Sequence, residues 1–124
     1  MSAVFLTTDL IFASRAQAAA RSAGVELRLV STAAAMLEQA CSPATDLVIM
    51  DLTSAGCDPQ QIISALRGAE RVPMILAYAP HVQHARLAAA REAGCDRVLT
   101  RGQFDQQLDG ILRQVVRLLE ADAS

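Results

Sequence analysis

Residues 44–56 read ATDLVIMDLTSAG, in which a short apolar run ends at an aspartate. Four apolar residues, 47–50, lie between two aspartates and are followed by small, turn-forming residues. A short run that is apolar throughout is typical of a strand covered on both faces, as the strands of parallel sheets are. The run ends on a carboxylate, Asp51, which either caps the following turn or belongs to a functional site.

Four further apolar runs have the length of a strand, and they lie at residues 3–6, 25–30, 73–79 and 97–99. The segments between them are rich in Ala, Leu, Gln and Arg, which favour helix. The sequence therefore predicts a strand followed by a helix, five times. Residues 25–29 alternate between apolar and polar side chains, which predicts an edge strand with one wetter face.

Residues that end or begin helices support this order. Gly24 and Gly94 follow predicted helices, where a left-handed backbone is often needed, and Asp58 with Pro59 forms a typical helix start. In the last segment, apolar residues recur at helical spacing, which predicts a helix packed on the sheet. We predict a flavodoxin-like, doubly wound (βα)5 three-layer sandwich with a five-stranded parallel sheet, as one domain over residues 1–124.

Composition excludes several classes of protein. The net charge is -2, and the eleven arginines are scattered along a chain without lysine, so no basic stripe is expected to bind nucleic acid. The three cysteines form no C-x-x-C pair, which indicates neither a disulfide framework nor a zinc site. No signal peptide and no apolar run long enough for a membrane helix is found. We expect a soluble, cytoplasmic protein with no membrane partner.

Polar side chains follow four of the predicted strands. They are Thr7 to Asp9, Asp51, Tyr78, and Thr100 with Arg101. In a flavodoxin-like strand order, the carboxyl ends of these strands converge on one pocket. The sequence therefore predicts that two carboxylates and one guanidinium meet there.

Two stretches resemble the receiver domains of two-component response regulators. DLVIMDLTSAGCD, residues 46–58, is similar to that family's phosphoacceptor strand and loop, and AREAGCDRVLTR, residues 90–101, is similar to the approach to its lysine. The resemblance covers nearly the whole chain. In that family an acidic pair follows the first strand, an aspartate that ends the third accepts a phosphoryl group, a Thr or Ser ends the fourth, and a Lys ends the fifth.

The resemblance implies a role for each candidate residue. Asp51 aligns with the phosphoacceptor and Asp9 with the second acid of the pair. Tyr78 stands at the Thr or Ser position and Arg101 at the lysine position. Magnesium, a hard cation that prefers oxygen ligands, would be held by Asp9, Asp51 and the backbone carbonyl of Thr53.

The departures from the family's pattern are also informative. Thr8 replaces the first acid and removes a negative charge, so Mg²⁺ is expected to bind weakly. Val98 stands where the family has a rotating aromatic switch, and Tyr78 is bulkier than Thr. Arg101 is not equivalent to a lysine, because a guanidinium is a planar, always-charged group and an ammonium is a compact one. It either contacts a phosphoryl oxygen or forms a permanent ion pair with Asp51.

Two functions follow from the resemblance. The first is a receiver that takes a phosphoryl group at Asp51 from a histidine kinase or a phosphotransfer protein, with weakened chemistry and at most self-catalysed transfer. The alternative is a pseudo-receiver that binds partners independently of phosphate. In either case, the face of the fourth helix, fifth strand and fifth helix would bind a downstream protein or a second copy. An enzyme or flavin carrier is disfavoured, because the segment after the first strand lacks a glycine-rich loop and no G-x-S-x-G motif is present.

Overall fold

The structure is a computed structural model that describes residues 1–123, in which five strands alternate with five helices. The strands are β1 (Ser2–Leu6), β2 (Glu26–Val30), β3 (Leu47–Asp51), β4 (Met74–Ala79) and β5 (Arg97–Thr100). The helices are α1 (Leu10–Ala23), α2 (Ala33–Ala40), α3 (Pro59–Arg67), α4 (His84–Ala93) and α5 (Arg101–Ala123). The predicted order of strands and helices is confirmed.

The five strands form one parallel sheet in the order β2-β1-β3-β4-β5. The strand β3, which carries the apolar run, lies at the centre and is buried at every position. The strand β2 lies at an edge, as predicted, with Leu27 buried and Glu26 exposed. Leu29 lies on the same face as Leu27 but is exposed, where the alternating pattern predicts burial. The doubly wound, flavodoxin-like prediction is confirmed, because the chain order reverses between β1 and β3.

Helices cover both faces of the sheet and enclose two apolar cores. Side chains of α1 and α5 pack on one face, and those of α2, α3 and α4 pack on the other. The four aromatic residues of the chain all lie in the first core, and they are Phe5, Phe12, Tyr78 and Phe104. Among the described residues, no helix combines the length and the apolar character needed to cross a membrane.

The predicted ends of the helices are present. Asp58 caps α3 by accepting hydrogen bonds from the backbone amides of Gln60 and Gln61. Gly24 and Gly94 end α1 and α4 with backbone φ angles of 74° and 96°, a region that side chains disfavour. These residues fix where each helix stops and where the chain turns back to the sheet.

The register of the strands determines which residues meet at the carboxyl edge. Leu6 pairs with Met50 across β1 and β3, and Asp51 pairs with Tyr78 across β3 and β4. Because all strands are parallel, the residues that follow them lie at the same edge of the sheet. This edge carries the polar residues singled out above.

Alanine should have opposite effects on stability at two exposed glycines, one at the end of α1 and one inside α5. Gly24→Ala should lower the free energy of unfolding by about 1 kcal/mol, because alanine is strained at a positive φ, and an added Cβ would meet no atom within 4 Å. Gly110 lies inside α5 and is exposed, so Gly110→Ala should raise it by about 1 kcal/mol. Urea denaturation measures both. Equal shifts of the same sign would contradict the assigned backbone geometry.

Candidate functional site

A cleft of about 260 Å³ opens at the carboxyl edge of the sheet. Its lining consists of Thr8, Asp9, Asp51, Thr53, Tyr78, Pro80 and Arg101. The structure therefore brings together all five residues that the sequence analysis proposed for a site. They come from the ends of β1, β3, β4 and β5, as the strand order requires.

Asp51 is buried at the end of β3 with only 7 % of its surface exposed, and both of its carboxylate oxygens accept hydrogen bonds. Oδ2 accepts from the Thr7 hydroxyl at 3.0 Å. Oδ1 accepts from the backbone amide of Thr53 at 3.0 Å and from the Thr53 hydroxyl at 2.6 Å. The two interpretations of Asp51 are thus compatible, because the carboxylate caps its turn and also lines the cleft.

Asp9 connects two helices through its two carboxylate oxygens. Oδ1 is the N-cap of α1 and accepts from the amides of Ile11 and Phe12 at 3.0 and 3.2 Å. Oδ2 forms an ion pair with the guanidinium of Arg101, the first residue of α5. The carboxylate of Asp9 is therefore engaged on both sides.

Arg101 pairs with Asp9 and not with Asp51, so the expected alternative of an Asp51 ion pair is wrong for this structure. The guanidinium also lies over the ring of Phe12, with its central carbon 4.7 Å from the ring centroid. A cation–π contact and an ion pair thus draw Arg101 in the same direction, towards the start of α1. About half of the Arg101 side chain stays exposed to solvent.

Tyr78 forms the floor of the cleft and is 2 % exposed. Its ring stacks on Phe104 with the centroids 4.3 Å apart and the planes 6° from parallel, and it contacts Phe5 and Phe12 at about 6 Å. The Tyr78 hydroxyl has no hydrogen-bond partner within residues 1–123. Burial raises the pKa of Tyr78 above its ordinary value, and the negative charge of Asp51 adds to that shift.

Sequence reasoning missed two residues of the site. From the sequence Thr7 is only a polar residue at a strand end, yet its hydroxyl donates to Asp51 and accepts from the backbone amide of Asp9 at 3.0 Å. Phe12 is not predicted to belong to the site, although it is the third residue after a capping aspartate and one of only four aromatics. Its helical spacing from Asp9 is the signal that places its ring beside the same cleft.

The other His and Cys side chains of the described residues form no metal site. Across residues 1–123, no group of three or more His, Cys, Asp or Glu side chains is arranged to hold a metal ion, and this includes His81 and His84. Cys57, in the loop after β3, is partly buried, and burial raises the pKa of its thiol to about 11. That thiol is therefore protonated at neutral pH and a poor nucleophile.

The arrangement of the carboxylates does not fit Mg²⁺. Both oxygens of Asp9 are engaged by α1 and by Arg101, and both oxygens of Asp51 accept hydrogen bonds. Thr8 contributes no charge. Since Mg²⁺ needs carboxylate oxygens in near-ideal octahedral geometry, a metal ion would have to displace contacts that already exist.

The fold matches those of solved receiver domains. No protein-family model matches this chain, and no curated protein matches it either. The receiver domain of a sensor histidine kinase from Pseudomonas aeruginosa PAO1, described with magnesium in its active-site cleft, is 20% identical with a TM-score of 0.76, over 93% of this chain and 96% of that one. The receiver domain of the TMAO respiratory system response regulator TorR is 18% identical with a TM-score of 0.77, over 97% of both chains.

A third match is to a longer protein. Full-length FixJ from B. japonicum is 19% identical with a TM-score of 0.80, and the match covers 98% of this chain and 60% of that protein. At such identities the likeness shows the fold, and it shows nothing about which chemistry this chain retains. The chain has the fold of response-regulator receiver domains.

Ionisation of Tyr78 can be measured directly by absorbance, because it is the only tyrosine in the sequence. We expect the folded chain to show no tyrosinate absorbance at pH values near the ordinary tyrosine pKa of about 10, because Tyr78 is buried beside Asp51. The native state then holds a proton that the unfolded chain loses, so stability should fall as pH rises above about 10. The chain unfolded in urea is the control and should titrate normally. A folded chain that follows the same curve as the unfolded one would contradict this.

Proposed function

We propose that this chain is a receiver-type domain of two-component signal transduction that acts by protein contact, with Asp51 as a weakened phosphoacceptor. Support comes from the receiver fold over nearly the whole chain. The observation that carries the proposal is the position of Asp51 at the end of the central strand, facing a cleft shared with Asp9, Tyr78 and Arg101. A carboxylate in that position can attack the phosphorus of a phosphohistidine as the nitrogen–phosphorus bond breaks.

The contacts of Asp51 support weakened chemistry. Oδ1 accepts two hydrogen bonds from Thr53, and Oδ2 accepts one from Thr7. Hydrogen bonds stabilise the carboxylate and reduce its tendency to donate electrons to phosphorus. Oδ2, which carries fewer of them, is the oxygen expected to accept a phosphoryl group. Phosphoryl transfer also depends on neutralising the moving charge, and Arg101 is turned towards Asp9.

The pseudo-receiver is the second candidate, and the Asp9–Arg101 ion pair favours it. In a phosphorylated receiver, cationic groups of the site contact the phosphoryl oxygens. Here the guanidinium is already held by a carboxylate and an aromatic ring. A domain of this kind would bind its partner with the surface it already presents.

The face formed by α4, β5 and α5 is the proposed surface for a downstream protein or a second copy. Val98 lies on β5 and is partly buried against the second core, and Tyr78 is fixed by stacking in the first core. Neither side chain is suited to move between two positions. Because a ligand without differential contacts shifts no equilibrium, this face is expected to keep one conformation whatever the state of Asp51.

We infer one domain over residues 1–124, located in the cytoplasm, with a histidine kinase or a phosphotransfer protein as the donor. Its chemistry would be limited to its own modification, which does not make it an enzyme. Magnesium binding would be weak, and direct contact with nucleic acid or a membrane is not expected.

Incubation with acetyl phosphate and Mg²⁺, followed by intact-mass spectrometry, tests the proposal. We expect slow, substoichiometric gain of one phosphoryl group, because the Asp51 oxygens are hydrogen bonded. Asp51→Asn should abolish it. Asp58→Asn is the matched control, since Asn also caps α3, and it should leave the modification unchanged.

The remaining outcomes separate the two candidates. Rapid and complete phosphorylation of the wild-type chain would show that the chemistry is not weakened. Its complete absence, also with a phosphorylated histidine donor, would favour the pseudo-receiver. A modification that persists in Asp51→Asn would remove Asp51 from the site.

A further inference from the structure

We propose that the guanidinium of Arg101 is a built-in cation of the cleft, which takes the place of a divalent metal ion at Asp9 and excludes metal from it. The cleft would then keep its geometry in the absence of any metal. This inference concerns cation binding alone, and it holds or fails independently of whether the chain signals or is phosphorylated.

The charges that line the cleft support this. Asp9 and Asp51 supply two carboxylates, and Arg101 supplies the one positive charge among the described lining residues. The guanidinium contacts Asp9 directly, so a divalent ion at the same oxygen would meet a like charge at close range. Affinity for a hard cation depends on the charge of its ligands. Arg101 cancels one of the two charges that the cleft offers.

The carboxylate of Asp9 is not free to turn towards a metal. Oδ1 caps α1 through the amides of Ile11 and Phe12, so rotation of the carboxylate would leave these amides without their partner. Oδ2, the only other oxygen, is the one that Arg101 occupies. Metal binding at Asp9 therefore requires either the loss of a helix cap or the departure of Arg101.

Arg101 is held in place from several directions. It is the first residue of α5, and the start of this helix is fixed by a capping box between Thr100 and Gln103. The backbone amide of Thr100 donates to the Gln103 side chain, and the backbone amide of Gln103 donates to the Thr100 hydroxyl. The guanidinium also lies over the ring of Phe12. A cation at the start of a helix is unfavourable by itself, and the negative charge of Asp9 compensates for it.

A second ion pair between the same helices provides a matched control. Arg15 of α1 pairs with Asp105 of α5. In this pair the guanidinium belongs to α1 and the carboxylate to α5, the reverse of the pair between Asp9 and Arg101. Arg15 does not line the cleft with Asp51. Arg15→Gln and Arg101→Gln remove the same charge and the same kind of contact, but only Arg101→Gln frees Asp9.

The test is a titration with Mg²⁺, followed by calorimetry and by the fluorescence of Tyr78, which is the one tyrosine in a chain without tryptophan. We expect Arg101→Gln to bind Mg²⁺ at least about tenfold more tightly than the wild-type chain, because a like charge beside Asp9 is removed, while Arg15→Gln stays close to wild type. No gain in Arg101→Gln would overturn the proposal, and so would an equal gain in Arg15→Gln.

Thr8→Asp separates this proposal from the simpler idea that a missing acid limits the affinity. If Arg101 excludes the metal, Thr8→Asp alone should gain much less than Thr8→Asp combined with Arg101→Gln. If Thr8→Asp alone reaches the affinity of the double variant, Arg101 is not the obstacle and the proposal fails.

A measurement on the wild-type chain covers the case in which Arg101→Gln does not fold. Paramagnetic Mn²⁺ broadens the amide resonances of residues near its binding site. We expect the amides of Asp9 and Asp51 to broaden no more than those of exposed acidic residues such as Glu38 and Glu92. Selective broadening of Asp9 and Asp51 at low Mn²⁺ concentration would overturn the proposal.

Discussion

The ion pair between Asp9 and Arg101 is the interaction on which the organisation of the cleft depends. It joins the first turns of α1 and α5, which come from opposite ends of the chain and pack on the same face of the sheet. Asp9 also caps α1, so one carboxylate fixes a helix start and a guanidinium together. A partly exposed ion pair of this kind contributes little stability in isolation, and its importance here lies in positioning.

The aromatic residues give this arrangement a rigid base. A chain with only four aromatics places all of them beneath or beside the cleft. Tyr78 stacks on Phe104, and Phe12 carries the guanidinium on its face. Closely packed aromatic rings of this type rarely change rotamer. The ring of Tyr78 is therefore a structural element of the core as well as part of the cleft lining.

The fold could be predicted from the sequence because its signals are local. The apolar run before Asp51, the cap at Asp58 and the glycines at 24 and 94 each act on their own segment, and parallel strands then bring the strand ends together. The partner of Arg101 could not be predicted in this way. It depends on where α1 starts and on the ring of Phe12. The ion pair joins Asp9 and Arg101, which are 92 positions apart in the sequence. The bond from Thr7 to Asp51 is hidden for the same reason.

We infer that the charged side chains of the cleft are already engaged with one another and that phosphorylation of Asp51 leaves the conformation of the face of α4, β5 and α5 unchanged. Amide chemical shifts across residues 81–119, with and without beryllofluoride and Mg²⁺, test it most directly, because beryllofluoride mimics a phosphoryl group on a carboxylate. We predict that any shifts are confined to the residues of the cleft. Saturable shifts that spread from Asp51 to α4 and α5 would contradict it, since they would show two conformations with different contacts.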